Sequence, residues 1–460
     1  MAGVKWLERI MDTVADRGRE LLGLREDEGR ETLSELCRRL ISGRGEASNI
    51  ALAREILQRF EALGDEDKTA FFMSLAEDFG PDPEHLRSAA AAFRNDQPET
   101  LVRLLQVAEP PRQELFRRLN MAPNGTAMLV SMRAQLLDRL PDFPLLLSVD
   151  ADFRHLLASW FNRGFLHLEK IDWRSPAVVL EKVMRYESVH AIQGWDDLHR
   201  RLADDRRCFG FFHPALPEQP LIFVEVALTR GISAEIAGLI DPQAPLNDPY
   251  TADTAMFYSI NNALKGLRGI SFGNFLLKQV LSELSAELPN LQQFATLSPM
   301  PRFATGLRYL LNGEAAGWTA EALDTLLGDH QATLQECTGQ SRPVDAVRNL
   351  IQKPSPEHET VLAPPLTRLA LLYLADLKQG DSCFDPVAAF HLANGAILER
   401  INVAADRSAH GEQQSHSVMV NYRYDPDQVV ANHEAFVHEG RIVMSKALQR
   451  EYDKHLAGLR

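Results

Sequence analysis

The sequence predicts an α+β protein in which a wholly helical region is followed by a mixed α/β domain. From Lys5 to about Leu119, apolar residues recur at helical spacing and strand signals are absent. From about Gly164 onward, short apolar runs that suit buried strands alternate with helical segments. We therefore expect residues 1–120 to form a helical domain and residues 121–460 to form a mixed domain.

The predicted helical domain is divided by glycine and proline at Gly43–Gly45, Gly80–Pro83, Gln97–Pro98 and Pro110–Pro111. Each break suits a turn between helices. The first residues predict a further amphipathic helix, with Trp6 among its apolar positions. Polar residues on these helices form no catalytic pattern, so we expect a structural or oligomerising role.

The second domain contains a series of strand and helix signals that implies mixed architecture. Helices are predicted at Val178–Tyr186, Trp195–Leu202, Ala234–Leu239, Thr319–Leu327, Pro343–Leu350 and Leu366–Leu377, and strands at Phe209–His213, Leu221–Leu228, Ala255–Ile260, Phe294–Leu297 and Ser417–Tyr424. Gln352–Pro365 is predicted to be a proline-rich loop.

Composition and charge exclude several classes of function. The chain has 460 residues, of which 45% are hydrophobic, and a formal net charge of −14, which argues against general binding to nucleic acid or anionic membranes. No apolar run approaches the roughly 20 residues of a transmembrane helix. The four cysteines lack metal-site or disulfide spacing, which favours a reducing cytoplasm.

The stretch from Thr251 to Glu287 predicts a strand, a glycine-containing loop and a helix, an order that presents backbone amides to phosphate. The loop carries Lys265 and Arg268, and Lys278 follows in the helix. Its segment Arg268–Gly273 resembles the signature with which acetyltransferase-like (GNAT) domains hold the pyrophosphate of coenzyme A. Ser271 stands where that signature usually has glycine.

Candidate chemistry is limited to a few side chains. Ser259 lies near the end of the predicted central strand, and His391 precedes a turn at Asn394. A strand serine bonded to backbone and a core histidine are the corresponding structural interpretations. His433 and His438 are five positions apart, which does not fit a helical metal motif.

Six blocks resemble the malonyl-CoA decarboxylase family, and they follow the family's order from about Arg163 onward. The blocks are Phe257–Ile260, Gly266–Gly269 with Gly273, Leu297–Pro301, Phe390–Gly395, Arg400–Asn402 and Met419–Tyr424. The resemblance implies a helical domain used in oligomer assembly and a catalytic domain of GNAT-like fold. It further implies a cytoplasmic carboxy-lyase that forms a homo-oligomer, dimer or tetramer, and uses no metal or biotin.

The resemblance also implies the site residues. The catalytic serine falls on Ser259, the catalytic histidine on His391 and an active-site tyrosine on Tyr424. With the loop described above, the expected contacts to CoA and substrate are Gly231, Ile232, Ser233, Ala234, Glu235, Ile236, Ala237, Lys265, Gly266, Arg268, Gly269, Ser271, Gly273, Asn274 and Asn394.

The implied reaction turns malonyl-CoA into acetyl-CoA and carbon dioxide, and it fits these residue types. Loss of carbon dioxide leaves an enolate, which requires hydrogen-bond donors and an acid that protonates C2. His391 is the expected proton donor, and Ser259 is expected to bond the malonyl carboxylate or to assist proton transfer. Two alternatives remain, a GNAT-type acetyltransferase and a noncatalytic acyl-CoA sensor.

Overall fold

The structure is a computed structural model that describes residues 13, 31–43, 45–270, 275–315, 317–353, 355–380 and 382–457. The chain divides into two compact units. The first contains the described residues up to His167, together with Phe211–Ile222 and the described part of Asn262–Gly273. The second contains Leu168–Gly210, Phe223–Asn261 and the described residues from 275 onward.

The first unit is built mainly from helices, and several begin where the sequence predicts. Pro83, Pro98 and Pro111 each lie in the first turn of a helix, where a missing N–H is tolerated. Thr32 and Glu35 form a capping box at the start of the first described helix. The helices are α1 Leu33–Ser42, α2 Glu46–Ala62, α3 Asp65–Glu77, α4 Pro83–Ala92, α5 Pro98–Ala108, α6 Pro111–Leu119, α7 Gly125–Arg139 and α8 Leu147–Trp160.

Aromatic packing and a buried ion pair join these helices. The ring centroid of Phe60 lies 5.4 Å from that of Phe71, and the stacked rings of Phe116 and Phe153 are 4.1 Å apart. Arg112 donates to Asp152 from Nε to Oδ2 over 2.5 Å, and both side chains are buried. The predicted amino-terminal amphipathic helix falls almost wholly outside the described residues.

The second unit is a mixed α/β structure organised by one large sheet. Its strands are β1 His167–Ile171, β2 Arg206–Phe212, β3 Ile222–Thr229, β4 Thr254–Asn262, β5 Gln293–Thr296, β6 Ser298–Pro299, β9 Ile397–Asn402 and β10 Met419–Tyr424. Their order is β1-β2-β3-β4-β5-β10-β6, and β9 pairs with β10. Two short strands, β7 Lys378–Gln379 and β8 Ser382–Cys383, form a separate antiparallel pair.

Helices connect and cover these strands, so the predicted class, a helical region followed by a mixed α/β domain, is confirmed. They are α9 Ala177–Tyr186, α10 Trp195–Arg201, α11 Ala237–Ile240, α12 Phe275–Glu287, α13 Phe303–Leu311, α14 Ala320–Leu326, α15 Gln331–Thr338, α16 Pro343–Gln352, α17 Glu359–Asp376, α18 Pro386–Ala393, α19 Ala409–Ser415, α20 Val429–Glu439 and α21 Lys446–His455. Among the described residues, no helix is long and apolar enough to cross a membrane.

The parallel pairing of β4 with β5 ends before β4 does. The last paired residues are Phe257 and Thr296, whereas β4 continues to Asn262. The chain beyond β5 instead continues its antiparallel pairing with β10 through Ser298. The two neighbouring parallel strands therefore part at their carboxyl ends, which is where α/β sheets bind ligands.

The proline-rich loop predicted at Gln352–Pro365 is wrong in its second half. Helix α17 begins at Glu359 and contains Pro364 and Pro365. A proline inside a helix costs about 3 kcal/mol. Burial of a single leucine contributes about 1.5–3 kcal/mol, and α17 buries Leu366, Leu369 and other apolar side chains. Packing thus outweighs the local proline signal.

Candidate active site

The polar residues near the ends of β4 and β5 share one face of the sheet. Because side chains alternate along a strand, Ser259 and Asn261 point to the same face as Phe257. Phe257 pairs with Thr296, whose face also carries Ser298. The register of β10 adds Tyr422 and Tyr424 to this set. The sequence-predicted Ser259 and Tyr424 therefore lie on one face.

His391 lies over this face and is held from three sides. Helix α18 carries it in its last turn, and Asp385 caps the helix start. Its Nδ1 is 2.8 Å from the Tyr424 hydroxyl, and its Nε2 is 2.9 Å from the Ser298 hydroxyl. The ring stacks on Tyr422 with centroids 4.6 Å apart. Only 3% of the residue is exposed.

Burial determines the protonation of this histidine. Desolvation lowers the pKa of His391 to about 3, so the ring is neutral near pH 7. Burial also raises the pKa of Tyr424, which remains a phenol. Nδ1 of His391 is the acceptor that the described residues offer to its buried hydroxyl hydrogen, so Tyr424 donates to Nδ1. The remaining ring proton is then on Nε2 and is donated to Ser298, whose hydroxyl donates to Thr296 over 2.8 Å.

Ser259 belongs to a separate hydrogen-bond network. Its hydroxyl donates to Oε2 of Glu187 over 2.7 Å. Nδ2 of Asn261 donates both to the Ser259 hydroxyl and to Oε2 of Glu187, over 2.6 and 2.7 Å. Ser259 and Glu187 are 2% and 5% exposed. The structure therefore brings Ser259 and His391 to the same face but bonds each to different partners.

The loop predicted to bind phosphate is packed within the first unit where it is described. A Cβ on Gly266 would lie 1.9 Å from the Val130 carbonyl oxygen, so packing alone requires glycine here. Arg133 donates to the carbonyl oxygens of Gly266 and Arg268 over 2.7 and 2.9 Å. Lys265 forms an ion pair with Asp138.

Gly269 also lies in the described part of this loop. Gly269 has a φ of 76°, a backbone conformation that favours glycine. Ser271, Gly273 and Asn274 lie outside the described residues.

The segment Gly231–Ala237 lies against the opposite face of the sheet. Ile236 packs in a core cluster with Met256 and Tyr258, which alternate with Ser259 along β4. Asn421 donates to the carbonyl oxygen of Ser233 over 3.0 Å. Ala234, Glu235 and Ala237 are exposed. This segment therefore has exposed positions, but it lies on the face of the sheet opposite to the face that carries Ser259.

Gly231 and Asn394 have clear structural roles. Gly231 has a φ of 74°, and its N–H donates to Asp253 over 2.7 Å. Asn394 ends α18, and its Nδ2 donates to the Phe390 carbonyl oxygen over 2.7 Å. The turn expected after His391 is confirmed, and Asn394 is bonded within it.

Sequence reasoning assigned no role to Glu187, Asn261, Thr296 or Ser298. Asn261 had a detectable signal, because it is polar and two residues from Ser259 on a buried strand. Ser298 lies in a block that carried the family resemblance. Glu187 is 72 residues from Ser259 in sequence, and no local pattern connects them. Among the described residues, no group of three or more His, Cys, Asp and Glu side chains is arranged to hold a metal.

Comparisons with known proteins extend over most of the chain. A family model described as malonyl-CoA decarboxylase C-terminal domain matches residues 164–459, and one described as the N-terminal domain of the same family matches residues 79–161. The mitochondrial malonyl-CoA decarboxylase of Rattus norvegicus is 34% identical over 414 residues, covering 86% of this chain and 82% of the relative. The corresponding protein of Anser anser anser is 35% identical over 381 residues, covering 79% and 75%.

Solved structures give a consistent result. The crystal structure of malonyl-CoA decarboxylase from Rhodopseudomonas palustris matches with a TM-score of 0.81 and 48% identity, covering 91% of this chain and 98% of that one. The structure from Agrobacterium vitis matches with a TM-score of 0.80 and 43% identity, covering 91% and 99%.

The buried neutral histidine predicts a pH-dependent contribution to stability. Between about pH 6.5, the ordinary histidine pKa, and about pH 3, the unfolded chain binds a proton at His391 that the folded chain does not. Stability is therefore lost as the pH falls through this window. Relative to His391→Asn, the free energy of unfolding should fall by up to about 1.4 kcal/mol per pH unit below pH 6.5 and be constant above pH 7.5.

Urea unfolding of both proteins from pH 4.5 to 8 measures this difference. His155→Asn, at an exposed helical position, is the matched control. A difference between wild type and His391→Asn that stays constant across the range would contradict the neutral assignment.

Proposed function

Because the chain belongs to the malonyl-CoA decarboxylase family, we propose that it converts malonyl-CoA to acetyl-CoA and carbon dioxide through an enolate intermediate. The observation that carries this proposal is the match of both family domains over residues 79–161 and 164–459. The arrangement of Ser259, His391 and Tyr424 on one face supports it, because decarboxylation needs hydrogen-bond donors and a proton source close together.

His391 is the proposed proton donor to C2. Its Nε2 proton passes to the carbanionic carbon, while the Tyr424 hydroxyl proton moves to Nδ1 along the existing 2.8 Å contact. The histidine thus stays neutral, and the starting state is restored when solvent supplies a proton to Nε2 and the Nδ1 proton moves back to Tyr424. For the proton transfer to C2, the hydrogen bond from Nε2 to the Ser298 hydroxyl, which is present in the substrate-free protein, must break. Tyr424 also orients the acyl group in this proposal.

Ser259 is proposed to bond the malonyl carboxylate or to assist proton transfer. Its hydroxyl hydrogen is held by Glu187 without substrate, so donation to the malonyl group requires the hydroxyl to turn. The buried surroundings favour the reaction, because a poorly solvated carboxylate loses less hydration when it becomes neutral carbon dioxide. These groups can carry the reaction without metal or biotin, which is part of the proposal.

Coenzyme A is proposed to bind through its pyrophosphate to the Arg268–Asn274 loop and the amino end of α12. Backbone amides at a helix start bind phosphate groups. The exposed positions of Gly231–Ala237 are further proposed contacts to the substrate. The cytoplasmic location predicted from the cysteines remains a prediction.

The decisive test mixes the purified chain with malonyl-CoA, without metal or acceptor, and follows acetyl-CoA and carbon dioxide together. Both products should appear in equal amounts, because one decarboxylation releases one of each. Binding without either product would instead support the acyl-CoA sensor. Consumption of acetyl-CoA only when an amine is added would support the acetyltransferase.

Replacement of His391 with Asn should lower kcat by about 10²–10⁴-fold, the usual contribution of a general acid. The affinity for CoA should change little, because the proposed CoA contacts lie elsewhere in the chain. Steady-state kinetics and CoA binding by calorimetry measure the two effects. A variant with near-normal kcat would remove His391 from the mechanism.

The chain is proposed to form a homo-oligomer through its helical region. Helix α5 buries none of its residues, and its Leu101, Val102 and Leu105 are 44%, 53% and 62% exposed. A second copy of the chain would cover such an apolar face. Val102→Glu combined with Leu105→Glu should lower the mass found by sedimentation equilibrium while the circular dichroism spectrum keeps its helical content. Leu246→Glu, at another exposed leucine, is the control. A single-chain mass for the wild type would exclude the proposal.

A further inference from the structure

Glu187 is a buried carboxylate that the mechanism above does not use. It follows helix α9 directly, and its Oε1 accepts from the backbone N–H groups of Val189 and His190, each over 2.8 Å. Its Oε2 accepts from Ser259 and Asn261. These four bonds fix one oxygen to the backbone and leave the other directed at the proposed catalytic serine.

The direction of the Ser259 hydroxyl follows from its partners. Asn261 accepts at Oδ1 from the N–H and the hydroxyl of Ser188, over 3.1 and 2.8 Å, so its amide nitrogen faces Ser259. That nitrogen only donates, and the Glu187 carboxylate only accepts. The Ser259 hydrogen therefore points at Glu187, and what the serine offers to any other group is a lone pair.

We propose that Glu187 is a positioning residue that holds the Ser259 hydroxyl hydrogen and yields it only to a carboxylated acyl group. The inference rests on the proposed function, in which Ser259 meets the malonyl carboxylate. A malonyl carboxylate is an anion that competes with Glu187 for the same hydrogen. A neutral acetyl group is a weaker acceptor, so the hydroxyl returns to Glu187 once carbon dioxide has left.

Charge repulsion between Glu187 and the malonyl carboxylate favours the loss of carbon dioxide. Two carboxylates on either side of one buried hydroxyl repel each other across a few ångströms of low-dielectric protein. That repulsion is relieved when the substrate carboxylate becomes neutral carbon dioxide. Glu187 thus raises the free energy of the bound malonyl group more than that of the transition state, which increases kcat rather than affinity.

The test is a double-mutant cycle of Glu187→Gln with Ser259→Ala. Glutamine keeps an oxygen for the two backbone N–H groups and replaces Oε2 with an amide that donates to Ser259, which frees the serine hydrogen. We expect kcat for malonyl-CoA to fall about 10- to 100-fold, the range for a hydrogen bond to a charged group. KM for malonyl-CoA should fall, and inhibition by acetyl-CoA should be unchanged. The double variant should lose less kcat relative to Ser259→Ala than Glu187→Gln loses relative to the wild type, because without the serine hydroxyl only the repulsion between the carboxylates remains.

Ser415→Ala is the matched control, because it removes a buried hydroxyl that bonds the backbone carbonyl oxygens of Gly411 and Val418 and leaves the contacts of Glu187 unchanged. Its kinetics should match the wild type. If Glu187→Gln fails to fold, as judged by circular dichroism and Tm, the cycle is run with Glu187→Asp, whose shorter side chain cannot hold both the backbone and Ser259. The same non-additive loss of kcat is expected.

Two outcomes would overturn the inference while the proposed function stands. One is an active wild type together with a Glu187→Gln variant whose kcat and KM equal those of the wild type. The other is losses that multiply in the double variant, which would mean that Glu187 acts independently of Ser259. A wild type that binds malonyl-CoA but releases no carbon dioxide would instead remove the proposed function itself, and this inference with it.

Discussion

The pairing of β4 with β5 stops at Phe257 and Thr296, although β4 continues, and the position of the polar side chains depends on this early end. Strand alternation then places Ser259 and Ser298 on one face, while Met256 and Tyr258 fill the apolar core on the other. A polar group inside a protein needs a partner, and separate elements supply one to each serine. The loop after α9 brings Glu187, and α18 brings His391.

Burial fixes the direction of the hydrogen bonds on this face. In water, hydroxyl groups exchange partners freely, but a buried hydroxyl has only the acceptors that the fold supplies. The Glu187 carboxylate must accept from Ser259, and the phenol of Tyr424 donates to a neutral His391. The serine network is thus set by an acceptor, the Glu187 carboxylate, and the histidine network by a donor, the Tyr424 phenol. The serine side offers a lone pair, and the histidine side carries a mobile proton on Nε2.

The sequence predicted the parts of this arrangement that depend on local pattern. The apolar run of β4 and the helical spacing of α12 identified both elements, and the family resemblance named Ser259 and His391 as expected site residues. Long-range packing was not accessible in the same way. Helix α17 begins at Glu359 because buried leucines outweigh its two prolines.

Gly266 is a single residue whose packing could not be predicted from the local sequence. A glycine in a loop predicted to bind phosphate suggests an approach to a ligand, whereas the Val130 carbonyl oxygen occupies the space that a Cβ of residue 266 would need. Its motif is local, but its packing partner is distant in sequence. Glu187 is the converse case, because its partner Ser259 was predicted while Glu187 itself carries no local signal.

A cation next to the substrate carboxylate would be the intuitive choice for binding, yet it would stabilise that carboxylate more than neutral carbon dioxide. The partners bonded to Ser259 are instead a carboxylate and a neutral amide, and His391 is neutral. Among the described residues, the groups bonded to Ser259 and His391 therefore include no cation, which suits the proposed site, where affinity would come from the CoA portion of malonyl-CoA.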